Sequence, residues 1–254
     1  MHAKATVLAL ASLASASLLP AQPSFSNDNS DHERAATFPT VHDSAVQARR
    51  ILNLEKYGTL STIFPTTHSA ENRPSDVGGT PIGLMDYFGD CEPDTGNPTL
   101  LAITIATSFK NVDAGSNITL SLRWHPPTSR PYSPAAIPRF SLIGHLEDLT
   151  EDEVKSQSVT TCFVKYHPDA ATWLPGNRIH ESKWVRLVVD EVYWIGGFGN
   201  VAYIGWIPVE EWKSVTKEEI EKCRLPGEKK HGWGPWMRSW FGLGAKDYQE
   251  ILEL

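Results

Sequence analysis

Cysteine and positive charge are scarce in this sequence, and each shortage argues against a class of function. Only 3 of the 254 residues are cysteines, and they show neither a CxxC pair nor a Cys/His ligand spacing, so a metal site is not expected. Lys and Arg number 23 against 30 Asp and Glu, which leaves no evident basic surface for nucleic acid. In an oxidising compartment two of Cys91, Cys162 and Cys223 can pair, but the sequence does not choose the pair.

The motifs of common catalytic sites are missing as well. The sequence has no GxSxG, no HExxH and no glycine loop that cradles a phosphate, so no catalytic residue is predicted. The GGFG run at 196–199 follows one strand pattern and precedes another, which favours a tight turn over a phosphate loop. Four histidines are too scattered to define a ligand set by spacing: His125, His145, His167 and His180.

The N-terminus has the pattern of a secretory signal peptide. Residues 1–21 contain a basic residue at Lys4, an apolar run from Ala5 to Ala14 and two small-residue cleavage candidates. Serines and Pro20 interrupt the run, which disfavours a membrane anchor, and no later stretch is long enough to span a bilayer. The mature chain is therefore expected outside the cell, or in a vacuole or lysosome. Residues 22–40 are polar and predict a flexible arm.

The rest of the chain alternates short strand patterns with a few helices. Helices are predicted at 43–57, 150–166 and 168–173 and from Pro208, and strands at 59–64, 81–88, 100–107, 118–124, 139–146, 184–195 and 201–207. The first helix has Asp43 and Ser44 as candidate caps and Gly58 as its stop. Strands that are grouped rather than alternating with helices indicate a mainly antiparallel sheet closed as a barrel.

The strand at 184–195 is apolar on both faces. Val185, Leu187, Val189, Tyr193 and Ile195 share one face by strict alternation, and Trp184, Val188, Val192 and Trp194 share the other. A strand covered on both sides lies in a barrel wall or at a subunit interface. This stretch is therefore expected to form the core of the fold.

Several segments, in this order, resemble the CREG-like secreted glycoproteins. They are ARRILNLEKYGTLSTI, GTPIGLMDYFGD, TSFKNV with NITLSL, RFSLIGHLEDL, KYHPDAATW and VYWIGGFGNVAYIGWIPVEEW. That family belongs to the FMN-binding split-barrel superfamily, together with the pyridoxamine-phosphate oxidases. The resemblance implies a six-stranded antiparallel split β-barrel with flanking helices, usually paired as a homodimer, in which the flavin pocket can be lost.

The resemblance also implies a candidate cofactor site. In flavin-using relatives a polar segment before the strand equivalent to 118–122 helps to hold the FMN phosphate, and here that segment contains Ser108, Lys110 and Asn111. These side chains can donate to a phosphate. Phe109 departs from the small hydroxyl residue that flavin-binding members often have, so a polar hairpin edge is the favoured interpretation. Asn117 begins the glycosylation sequon Asn117-Ile118-Thr119.

The expected organisation is a signal peptide at 1–21, an arm at 22–40, a split-barrel domain at 41–213 and a C-terminal helix with a Trp-rich tail at 214–254. Aromatic residues of the tail are expected to fold back onto the domain, with a membrane or partner surface as the alternative. The expected function is a secreted or vacuolar glycoprotein, a non-catalytic binding or regulatory homodimer whose partner is a protein or a glycan-dependent receptor. No cofactor is expected. The alternatives are an FMN-dependent oxidoreductase and, less favoured, a haem-handling protein.

Overall fold

The computed structural model describes residues 38–67, 73–127 and 133–228. The predicted signal peptide at 1–21, most of the predicted arm at 22–40 and the Trp-rich part of the tail lie outside these residues. Within the described part of the chain, no helix is long and apolar enough to cross a membrane.

The described chain forms six α-helices and seven β-strands. The helices are α1 Val41–Leu54, α2 Thr107–Asp113, α3 Glu151–Ser156, α4 Val159–Tyr166, α5 Val209–Ser214 and α6 Lys217–Lys222. The strands are β1 Tyr57–Ile63, β2 Pro81–Tyr87, β3 Thr99–Ile103, β4 Ile118–Arg123, β5 Arg139–Asp148, β6 Ser182–Ile195 and β7 Ile204–Ile207. Short 3-10 helices span Pro134–Ala136 and Pro168–Thr172.

Six strands form a continuous antiparallel sheet in the order β2-β1-β4-β5-β6-β3. Gly89 and Thr99 exchange two backbone hydrogen bonds, of 2.9 and 2.8 Å, and so join the chain after β2 to the start of β3. Beyond this bridge the end strands β2 and β3 are not paired with each other. The prediction of a six-stranded antiparallel split barrel is therefore confirmed. β7 adds a short seventh strand beside the second half of β6.

The main hydrophobic core fills the barrel and extends under three helices. Leu60, Leu120, Leu142 and Leu187 are fully buried within it. The apolar face of α1 closes one end through Ala45, Ala48, Ile51 and Leu52, and α5 and α6 pack beside it. A second buried cluster lies outside the sheet beneath α4 and includes Leu101, Val159, Phe163 and Trp184.

The long strand β6 changes its buried face part of the way along. Val185, Leu187 and Val189 are buried as one alternating set, but beyond Asp190 the buried residues are Val192 and Trp194. The pairing register of β5 and β6 shifts between Ile143 and Gly144, where Gly144 pairs with Val189 and Ile143 with Glu191. Asp190 is the extra residue of a β-bulge, and an extra residue reverses which side chains face inward. The predicted uninterrupted alternation at 184–195 is therefore wrong beyond the bulge.

Two helix predictions need correction, one at its ends and one in its interior. Helix α1 begins at Val41 and ends at Leu54, because Thr40 is its cap and accepts the N–H of Asp43, whose carboxylate accepts the N–H of Thr40 in return. The predicted helix at 150–166 begins with the expected capping box at Thr150 and Glu153. It is interrupted at Ser158, which has a left-handed backbone with φ of 54°.

The segment that contains the predicted cofactor residues is helical. The predicted strand at 100–107 ends at Ile103, and α2 follows from Thr107. The interpretation of residues 108–111 as a hairpin edge is therefore wrong, because Phe109 turns into the core and anchors a short helix against β1.

Cys91 and Cys162 form a disulfide with a Cα–Cα distance of 5.8 Å. The bond connects the loop between β2 and β3 to α4, on the side of the second buried cluster. Cys223 is a free thiol, and burial raises its pKa to about 11. The choice of pair that the sequence left open is thus resolved in favour of Cys91 and Cys162.

Candidate functional site

The outward-facing residues of six strands form a continuous row across the sheet. Direct cross-strand pairs join Met85 to Thr59, Thr59 to Ser121, Ser121 to Ser141, Ser141 to Tyr193 and Tyr193 to Trp206. Such a row arises because alternate residues of neighbouring strands point to the same side. Its two ends are apolar and its centre contains hydroxyl groups.

A groove of about 790 Å³ runs along this row. We call it the outer-face groove; its lining also includes Tyr57, Tyr87, Arg123, His125, Arg139 and Ile195. Aromatic rings and a methionine therefore flank two guanidinium groups and a pair of serines, whose hydroxyl oxygens are 2.8 Å apart. The volume lies within the range of small-molecule sites, and the lining suits a flat apolar ligand that has a negative charge.

The polar side of the groove is an ordered chain of three residues. The Nε–H of Arg123 donates to Nε2 of His125 at 2.7 Å, and Nδ1 of His125 is 2.9 Å from Glu55. Because an arginine only donates, Nε2 must accept and Nδ1 must carry the proton that is donated to Glu55. The backbone N–H of His125 donates to the same carboxylate at 2.7 Å. Both ring nitrogens of His125 are therefore in use.

On the other side of the groove, Tyr87 contacts two residues that follow α4. The hydroxyl of Tyr87 donates to Asp169 at 2.7 Å, and this bond is the main reason that the pKa of Tyr87 rises to about 12. The ring of Tyr87 stacks on buried His167 with centroids 4.3 Å apart. His167 Nε2 donates to the carbonyl of Phe88, and burial lowers the pKa of the imidazole. Tyr87 is therefore a fixed, protonated phenol.

The three predicted cofactor residues lie on α2, away from the outer-face groove. Ser108 and Asn111 are each 2% exposed, and the Asn111 amide donates to the hydroxyl of Thr62 at 3.0 Å. Lys110 is half-buried on the same helix. The structure thus brings the three residues together on one element but not into the groove lining. Their cofactor role stays a prediction.

The other singled-out residues are separated in space. His145 pairs with Asp190 on the surface, His167 is buried, and the backbone carbonyl of His180 accepts from the Asn177 amide. Asn117 is exposed just before β4, where a glycan has room. In the described ranges no group of three or more His, Cys, Asp or Glu is placed to hold a metal ion.

Sequence reasoning missed the outer-face groove because its lining comes from five strands and the residues that follow them. The outward positions within each strand follow from alternation, but their meeting requires the strand order and register. The resemblance directed attention to the segment before β4. A usable signal was present on β4 and β5. In the segments SLR at 121–123 and RFS at 139–141, polar residues alternate with an apolar one, which indicates a polar outer face.

Comparison with known proteins agrees with this fold. A family model described as CREG, beta-barrel matches residues 39–214. No curated protein matches the chain. The chain is similar in structure to a heme binding protein from Mycobacterium smegmatis, at 21% identity and a TM-score of 0.52, over 67% of this chain and 60% of that one. It therefore spans less than two thirds of the length of that protein.

Two further solved structures are similar to the chain at lower scores. HutZ, described as the heme storage protein from Vibrio cholerae, is 12% identical with a TM-score of 0.42, over 65% of this chain and 95% of that one. A Clostridium acetobutylicum protein of the pyridoxinephosphate oxidase family is 12% identical with a TM-score of 0.39, over 61% of this chain and 89% of that one.

Proposed function

The chain belongs to the CREG β-barrel family, and from that premise we propose that it is a secreted or vacuolar/lysosomal glycoprotein that binds a partner without catalysis. It acts as a homodimer, and the outer face of the sheet is the surface through which the two copies meet. The partner is a protein or a glycan-dependent receptor.

The observation that carries this proposal is the exposure of large apolar side chains on the outer face. Met85 is 64% exposed and Trp206 is 54% exposed, at the two ends of the row that crosses the sheet. Tyr57, Tyr193 and Ile204 are exposed on the same face. Exposed apolar patches at both ends of a polar row favour an interaction surface, and a stable interface needs about 800 Å² from each partner.

The polar groups near the groove favour binding over catalysis. His125 uses both ring nitrogens within its chain of hydrogen bonds, so it has no free lone pair for a general base. On α2, away from the groove, the Asn111 amide donates to the hydroxyl of Thr62, and Ser108 is buried. Asn111 and Ser108 are therefore closed to a substrate, whereas His125 is exposed but has both ring nitrogens in hydrogen bonds.

Binding of FMN in an oxidoreductase is the second candidate. The outer-face groove favours it, since Arg123 and Arg139 offer donors for a phosphate between aromatic side chains. In that case the flavin supplies the redox chemistry and the chain supplies anchoring and orientation. Haem handling is a third and weaker candidate, because His125 would have to release Arg123 or Glu55 to become an axial ligand.

Oligomeric state tests the dimer. Sedimentation of the mature protein is expected to give a dimer, and Trp206→Glu is expected to weaken it by at least about 100-fold, because a charge would be buried at the interface. The matched control is Ile179→Glu, since Ile179 is 76% exposed and lies on a loop outside the outer face. A wild-type monomer, or equal effects of the two variants, contradicts the proposal.

Absorbance of the purified protein tests the absence of a cofactor. We expect no flavin band and no Soret band, and no change when FMN is added. A flavin band would support the oxidoreductase, and a Soret band would support haem handling.

The mass of the secreted protein tests the glycan. Asn117→Gln is expected to remove one glycan from protein that is secreted by eukaryotic cells. An unchanged mass, or retention of wild-type protein in the cytosol, would contradict the secreted-glycoprotein assignment.

A further inference from the structure

A small cavity lies at the split in the barrel, between the free edges of β2 and β3. Its volume is about 270 Å³. β2 and β3 are not paired with each other beyond the Gly89–Thr99 bridge. The segment from α4 to Trp173, which we call the cover, contributes to the lining of the cavity. The lining consists of Met85, Asp86 and Tyr87 from β2, Leu101 and Ile103 from β3, and Phe163 and Trp173 from the cover.

Asp86 is a carboxylate in apolar surroundings. It accepts the backbone N–H of Tyr87 at 2.8 Å, and no cationic group among the described residues pairs with it. Burial raises its pKa to about 6, in the direction that desolvation without a counter-charge produces. A charged group that is held away from water without a partner is costly, so it marks a place where a ligand can supply the missing charge.

Aromatic side chains line the same cavity as this carboxylate. The ring centroids of Tyr87 and Trp173 are 6.3 Å apart at an angle of 55°, so the two rings present different faces and edges. Phe163 contributes a third ring to the lining. Aromatic faces attract cations, and Trp does so most strongly.

The apolar part of the lining selects among cations. The side chains of Leu101 and Ile103 offer no hydrogen-bond acceptor, and the thioether of Met85 offers only a weak one. A primary ammonium group has three N–H donors and would leave some of them unsatisfied here, whereas a trimethylammonium group has none. Its methyl groups suit apolar and aromatic contacts, and its charge complements Asp86.

We propose that the cavity at the barrel split is a binding site for a trimethylammonium group, held by Asp86 and by the rings of Tyr87, Phe163 and Trp173. Met85 and Tyr87 line both this cavity and the outer-face groove, but the other residues of the cavity lie outside the groove lining. The site does not require the proposed homodimer. Its volume accommodates the head group and leaves the rest of the ligand outside.

Calorimetric titration with choline and with its uncharged isostere 3,3-dimethyl-1-butanol tests the proposal. The full mature chain is expected to bind choline at millimolar concentrations or below, and the isostere at least about tenfold more weakly, since the two differ in charge and not in shape. Equal binding of the two would mean an apolar pocket without charge recognition. No choline binding at about 10 mM would also overturn the proposal.

Two variants assign the binding to these residues. Asp86→Asn and Trp173→Leu are each expected to weaken choline binding at least about tenfold. The control Asp190→Asn removes a carboxylate from β6 that does not line the cavity, and it is expected to bind choline as the wild type does. Thermal melting checks the fold, and Asp86→Asn is expected to melt no lower than wild type at neutral pH because it removes an unpaired buried charge. Wild-type affinity in Asp86→Asn would refute the assignment.

The trimethylammonium group can belong to a free small molecule or to a lipid head group. Co-sedimentation with phosphatidylcholine vesicles, and with phosphatidylglycerol vesicles as the control, separates the two sources. Pelleting with phosphatidylcholine alone that choline competes away assigns a lipid. Choline binding without pelleting assigns a soluble ligand. Failure of the dimer test at Trp206 would leave both readouts unchanged.

Discussion

Arg49 places a positive charge in the interior, between α1, α5 and the loop after β2. It is fully buried, donates to the carbonyls of Trp212 and Pro93, and lies 5.2 Å from the Trp212 ring centroid. Burial lowers its pKa, and the nearby carboxylates of Asp90 and Asp94 partly offset that effect. Gly96 has a positive φ of 72°, and a Cβ there would lie 2.6 Å from the Arg49 guanidinium carbon. Arg49 therefore fixes the position of three separate segments.

His42 joins three helices through two carboxylates. Its Nδ1 is 2.8 Å from Glu211 on α5, and its Nε2 is 2.9 Å from Glu219 on α6. When the ring is protonated, both nitrogens donate, and the bonds to Glu219 and then to Glu211 raise the pKa of His42. Glu219 also closes the capping box of α6 with Thr216, and its pKa falls to about 2.

We predict that this contact stabilises the protein in acid. The folded state holds the His42 proton more tightly than the unfolded state, so the stabilisation is fully present below pH about 6.5 and is lost as the pH rises through the higher folded value. His42→Gln should therefore lower the free energy of unfolding more at pH about 5.5 than at pH about 8.5, by a few tenths to about 1 kcal/mol. Urea unfolding at the two pH values measures this difference.

The effect of His42 must be measured as a difference between variants, because His167 changes the pH dependence of stability in the opposite direction. Its pKa is lowered by burial, so its contribution is lost as the pH falls below about 6.5. Glu211→Gln is the matched control for His42, since it removes one of the two carboxylates and should reduce the pH effect without abolishing it. Equal destabilisation by His42→Gln at both pH values would contradict the prediction.

At the scale of elements, the bulge between β5 and β6 decides which residues reach the outer-face groove. Before the bulge Val189 faces the core, and after it Tyr193 and Ile195 face the groove while Trp194 faces the core. Without the extra residue the second half of β6 would present Trp194 to the outside. The bulge thus allows a single 14-residue strand to pair with β3 in its first half and with β7 in its second.

Gly144 is the residue that permits this bulge. A Cβ on Gly144 would lie 1.8 Å from the backbone oxygen of Val188, which cannot move without separating the strands. Gly144→Ala is therefore expected to lower the free energy of unfolding by about 1–3 kcal/mol or more. Denaturant unfolding measures the loss, and the fluorescence of Trp206, which pairs with the groove residue Tyr193, should change with it.

Gly199→Ala is the matched control for Gly144→Ala. The nearest heavy atom to a Cβ at Gly199 is a side-chain carbon of Ile204 at 3.5 Å, which is an ordinary contact. Its effect on stability should stay within about 0.5 kcal/mol. Equal effects of the two alanines would show that the strands adjust freely at the bulge.

The elements that follow local rules were predictable from the sequence, and those that depend on pairing were not. The buried face of α1, with Ala45, Ala48 and Leu52, and the capping box at Thr150 follow from spacing alone. The bulge at Asp190 and the helix α2 did not, because the first is set by the partner strand and the second by burial of Phe109 under tertiary packing. The outer-face groove requires the complete strand order, so only its individual residues were visible beforehand.

At the scale of the whole molecule, the segment from α4 to Trp173 forms a cover on the outside of the barrel, and the disulfide attaches this cover to the loop after β2. Cys91 follows the closing bridge at Gly89, and Cys162 lies on α4 next to Phe163. The second buried cluster, with Val159 and Trp184, lies between this cover and the sheet. The cover also forms one wall of the cavity at the barrel split.

Loss of the Cys91–Cys162 bond is therefore expected to loosen the cover as well as to lower global stability. The cysteines are 71 residues apart, and a crosslink across a loop of this length is worth about 2–4 kcal/mol. The double variant Cys91→Ala with Cys162→Ala should lose about this amount in denaturant unfolding, and hydrogen exchange should rise first in α4. Cys223→Ala is the control, because that thiol is unpaired in the structure and the bond remains intact. An unchanged free energy of unfolding with unchanged exchange in α4 would mean that packing of Val159, Phe163 and Trp184 alone holds the cover to the barrel.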